Sequence, residues 1–115
     1  MMPSIDKTWY IEYLITRVIY FNHDRYDYIA QTAAGVWLAF ELRPSFDIDW
    51  YVYDGYIESE NRIGRIKYLS GGSCILPWWT TLINVKDFAK MVEQNHPEIF
   101  EKHKSILANY LRIGE

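Results

Sequence analysis

Two periodicities divide the chain. Val36, Leu38, Phe40 and Leu42 interleave with Trp37, Ala39, Glu41 and Arg43, and Phe46, Ile48, Trp50 and Val52 interleave with Asp47, Asp49, Tyr51 and Tyr53. A period of two belongs to a strand with one face in a core, so the pattern predicts two half-buried strands with Pro44-Ser45 as the corner between them. Asp54-Gly55 follows, a pair that enters the left-handed region easily and signals a tight turn. Ile63 to Leu69 supplies a further strand, and Tyr26 to Thr32 begins the series. Together these segments read as an antiparallel meander of about four strands.

From residue 84 the period lengthens. Asn84 is a good N-cap with Asp87 in the first turn, and Val85, Phe88, Ala89 and Val92 fall on one helical face. That helix should stop near Asn95. Pro97 fits the first turn of a second helix, where its missing N–H costs nothing, and Ile99, His103, Ile106, Leu107 and Tyr110 recur at helical spacing until Gly114. A kinked helical pair over 84–112 is expected. Residues 5–21 carry both patterns: Ile11, Leu14, Ile15 and Val18 form a helical stripe behind a possible Ser4 cap, whereas Trp9, Ile11, Tyr13 and Ile15 alternate. The segment is longer than an ordinary strand, and helix is the better reading. The expected fold is α+β, a single domain over 1–115 in which the antiparallel sheet packs against an N-terminal helix and the C-terminal pair.

Composition alters this picture in one respect. Of the 115 residues 17% are aromatic, more flat amphipathic surface than a core of this size hides, so part of it belongs to a binding face. The formal net charge of -3 gives no general attraction to nucleic acid, and no stretch has the cation density of a phosphate-tracking groove. The charge is uneven: Glu41, Asp47, Asp49, Asp54, Glu58 and Glu60 stand against Arg43, a net -5 over 41–60, while Arg62, Arg65 and Lys67 follow as a basic stretch. Adjacent solvated strand faces would produce this, and so would an acidic patch that steers a basic partner. A single cysteine excludes a disulfide framework within the chain and points to a reducing compartment. The first residues lack the features of a secretory signal, and no apolar run approaches the roughly 18 residues of a membrane span, so a soluble cytoplasmic protein is expected.

Few residues suggest chemistry. Cys74, in Gly71-Gly72-Ser73-Cys74, could be a nucleophile, but its neighbours Ile75 and Leu76 suit a small buried thiol better. His23, Asp24 and Asp27 lie close enough to suggest a metal, but an ordinary solvated loop is the better reading. His96 reads as a junction residue before Pro97, and His103 as an interior-edge residue of the last helix. Asp47 and Asp49 share one strand face at roughly 7 Å, the spacing of a carboxylate pair or of a solvated rim. No cofactor, metal or catalytic residue is expected.

Trp50, Tyr51, Tyr53 and Tyr56 surround the Asp54-Gly55 turn, and Pro77-Trp78-Trp79 precedes the helices; Trp50, Trp37 and one of Trp78 and Trp79 are assigned to the core. Tyrosine beside carboxylate is the composition of an interface hot spot. The expected partner-binding residues are therefore Asp47, Asp49, Tyr51, Tyr53, Asp54, Tyr56 and Glu58. They suit a small non-enzymatic inhibitor, of the immunity type that neutralises a toxin or other enzyme, meeting a protein partner with a basic surface. No nucleic-acid or membrane partner is expected. The alternatives are an aromatic-lined module for a small molecule or sugar and, less favoured, a thiol-dependent enzyme using Cys74.

Overall fold

The computed structural model describes residues 7–44, 56–59, 62–72, 77 and 80–111, with 56–59 and 62–64 as backbone. In the ambiguous first segment helix wins, over Thr8–Arg17 (α1), and a 3-10 turn at Ile19–Phe21 follows it. The helical stripe decides the matter: Ile11, Leu14, Ile15 and Val18 are all fully buried, whereas the alternating reading would have placed the half-exposed Trp9 on the inward face. The helix starts after an extended Lys7 that offers no side-chain cap, rather than directly behind Ser4.

Among the described residues five antiparallel strands form one sheet: β1 (Tyr28–Gln31), β2 (Trp37–Phe40), β3 (Tyr56–Ser59), β4 (Arg62–Ser70) and β5 (Ile83–Asn84), in the order β3-β4-β2-β1-β5. Pairing places Ile29 opposite Ala39, Phe40 opposite Ile66, and Ile83 opposite Ile29. The class is the α+β antiparallel architecture expected from the pattern, but the order is not sequential. β1 and β4 take both edges of β2, and β3 lies outside β4. The expected strand over 46–52 and the Asp54-Gly55 turn lie outside the described residues. The β1–β2 hairpin turns through Gly35, whose φ of 84° is left-handed, with the Thr32 N–H donating to the Val36 carbonyl at 2.8 Å.

The sequence implied strands buried on one face, yet β2 is buried on both. Trp37 and Ala39 join the main core beneath α1 and the C-terminal helices, and Phe40 is fully buried on the other side with Ala30. Trp37 can be interior because its Nε1 donates to the Tyr13 hydroxyl at 2.9 Å, which removes the penalty of an unpaired indole N–H. A bulge between β2 and β4 at Trp37/Leu38 shifts the register there.

The C-terminal segment is three helices rather than a pair: α2 (Val85–Asn95), α3 (Pro97–Lys102) and α4 (Lys104–Leu111). Asn84 caps α2 as its sequence suggested, its side chain accepting from the Asp87 N–H at 2.9 Å. Val85, Phe88, Ala89 and Val92 are buried as one face, and Phe100, Leu107 and Tyr110 carry the core onward. The extra break falls at His103. Among the described residues no helix is long and apolar enough to cross a membrane.

Candidate functional site

The stripe of α1 ends at Val18, and the chain turns through Asn22-His23-Asp24-Arg25-Tyr26 before β1. A polar side chain organises this turn. Asn22 is buried, and its amide donates to the Tyr26 carbonyl at 2.9 Å while its Oδ1 accepts from the Tyr26 N–H at 3.1 Å. The Asn22 carbonyl in turn accepts from the Arg25 N–H at 3.0 Å and from the Tyr110 hydroxyl at 3.4 Å. Arg25 is thereby held at φ 55°, a left-handed conformation that costs a non-glycine residue about 1–2 kcal/mol and persists only where its surroundings enforce it. Burial pushes the Tyr110 hydroxyl up to about 12, so it stays a donor at any physiological pH.

The turn faces α4 across a cleft of about 250 Å³, with Ile19, Asn22 and Tyr110 at its base and Tyr20, His23, Arg25, Ser105 and Asn109 around it. Tyr20 is 54% exposed and meets Phe21 edge-on at 5.2 Å and His23 at 6.2 Å. The Asp24 carboxylate points to β4, where Lys67 holds it at 2.7 Å and, by that hydrogen bond and charge, keeps it below its usual range. His23, Asp24 and Asp27 therefore do not converge, and among the described residues no three His, Cys, Asp or Glu side chains are placed to hold a metal.

His103 marks a second polar junction. Its Nε2 lies 2.8 Å from Glu12 Oε2, and Lys102 stands 3.6 Å from the other oxygen. Hydrogen bonding to His103 is the main reason that the Glu12 carboxyl sits below its usual range. A carboxylate only accepts, so Nε2 carries the hydrogen in this bond. The interior-edge position expected of His103 holds, since it is mostly buried, but its role is to tie the α3/α4 break to α1. His96 is the junction residue between α2 and α3, without a side-chain cap bond.

Of the expected partner-binding residues, Asp47, Asp49, Tyr51, Tyr53 and Asp54 lie outside the described residues, as do Cys74, Trp50, Trp78 and Trp79. Tyr56 and Glu58 fall on β3, opposite Arg65 and Ile63 of β4. β3 is the last strand on its side of the sheet among the described residues. The Tyr20 and Arg25 pair escaped the sequence reading, in which only His23, Asp24 and Asp27 were weighed. The available signal was the switch from the apolar stripe to a polar run immediately after two aromatic residues. Comparison with protein-family models, curated proteins and solved structures finds no match to this chain.

Proposed function

We propose that the protein works by binding and occluding another protein, as an inhibitor of the immunity type, through the acidic and tyrosine-bearing segment from Asp47 to Glu58. The observation that carries this reading is the row of carboxylates and tyrosines that runs into β3. The net -5 of residues 41–60 favours a partner with a basic surface. Tyr51, Tyr53 and Tyr56 would supply buried area, while Asp47, Asp49, Asp54 and Glu58 would set orientation and on-rate.

The alternative of a module for a small molecule or sugar draws on the cleft beside α4, but 250 Å³ falls below the roughly 300–1,000 Å³ of ordinary ligand pockets. Hydrogen exchange of the protein alone and with its captured partner tests the proposal. Slowed exchange at Tyr56–Ser59 is expected, and unchanged exchange there would refute the placement.

A further inference from the structure

We propose that the cleft between the 19–25 turn and α4 binds an acidic peptide segment of a protein partner, with Arg25 taking a carboxylate and Tyr20 covering the neighbouring side chain. Arg25 is exposed, lines the cleft, and pairs with no carboxylate among the described residues. The two acids of its own turn leave it free. Lys67 binds Asp24, and the exposed Asp27 is not within ion-pair distance of the guanidinium. A free guanidinium offers a planar fork that matches a carboxylate with two parallel hydrogen bonds.

Placement of this group is enforced rather than incidental. The Asn22 clamp and the Tyr110 hydroxyl fix the backbone that carries Arg25, so the turn itself need not reorganise on binding. The cleft's other groups suit a peptide. Ser105 and the Asn109 amide, which already donates to the Ser105 carbonyl at 3.0 Å, give the α4 wall polar groups for an extended backbone. Tyr20, half exposed at the lip, gives a rigid ring of the kind that anchors partner side chains. Arg25, the one permanent cation in the lining among the described residues, matches a single carboxylate better than a doubly charged phosphate, and 250 Å³ accommodates one or two side chains.

This inference does not rest on the acidic edge: Asp47→Ala/Asp49→Ala/Tyr53→Ala should leave peptide binding intact, whichever way that edge behaves. The test is an amide-resolved NMR titration of the full chain with a capped Glu-Glu-Tyr-Glu peptide, its Gln-Gln-Tyr-Gln counterpart, and inorganic phosphate. The decisive variant is Arg25→Gly, because glycine suits the left-handed backbone and the turn should survive the loss of the guanidinium. The expected result is shifts confined to 20–25 and 105–110 with the acidic peptide, and affinity about tenfold weaker for Arg25→Gly and for the glutamine peptide. Equal binding by Arg25→Gly, equal binding of the glutamine peptide, or the same shifts with phosphate would overturn the proposal. Shifts at these residues on raising the protein concentration without peptide would also overturn it, by making a second copy the occupant.

Discussion

The helix-covered face of the sheet and the 19–26 turn are held by opposite means. Beneath α1 and the C-terminal helices, the core is nearly all side-chain volume: Ile11, Leu14, Ile15, Ile29, Val92 and Leu107 are fully buried, and the Trp37–Tyr13 bond is a polar exception. In the turn, the Asn22 side chain makes two bonds to the Tyr26 backbone, and the Asn22 carbonyl accepts from the Arg25 N–H and the Tyr110 hydroxyl. Packing of the first kind consumes the residues that make it. Hydrogen bonding of the second kind fixes the backbone and leaves Tyr20, His23 and Arg25 outside, positioned but unspent. The molecule thus separates what holds it together from what it presents.

The largest expected effect breaks the volume side of that contrast. Leu107→Ala should destabilise the protein by about 2–5 kcal/mol in denaturant unfolding, because it opens a cavity in the middle of the core. A loss of a few tenths would mean that α4 does not seal the core. Asn22→Ala attacks the other side: with the Tyr26 N–H and carbonyl left unpaired, a loss of about 1–3 kcal/mol is expected. Its signature should be local. Amide exchange should quicken at 22–26 well before the strands, and a uniform acceleration would show that the turn is not an independently held unit.

The smallest effect concerns the Glu12–His103 link between α1 and the α3/α4 break. The carboxyl of Glu12 sits below the usual glutamate range in the folded protein, with the His103 hydrogen bond as the main cause. A depressed carboxyl contributes stability that is fully present above the unfolded pKa and is lost as pH falls through the lower folded value. Stability should therefore hold from neutral pH to about 5 and decline below it, and Glu12→Gln should remove this part of the decline. Identical acid profiles for the two proteins would show that the bond contributes nothing. Lys102 and the partly exposed setting of Glu12 keep the effect modest.

What the sequence disclosed was mostly local. The Asn84 cap, the α2 stripe and the α1 stripe depend on residues within a turn or two of one another, and all stand where the pattern put them. The strand order was not legible, because β4 reaches the side of β2 by a pairing that no nearby residue specifies. Nor was the break at His103, where the apolar spacing runs on unbroken and the tie to Glu12 spans 91 positions. The left-handed Arg25 depends on a buried asparagine that looked like any loop residue. The face over 47–54 could be read only as composition, and its residues lie outside those described.

The central claim is that recognition lies on the acidic, tyrosine-bearing segment that leads into β3 and is separable from stability. Isothermal titration calorimetry of the captured partner with wild type and Asp47→Ala/Asp49→Ala/Tyr53→Ala tests it most directly, with thermal midpoints as the control. If recognition and stability are separable, each change should alter stability by about 0.5 kcal/mol or less, the value typical of surface substitutions, so the midpoint should move by only a few degrees while binding falls sharply. Undiminished binding by the folded triple variant would contradict the account.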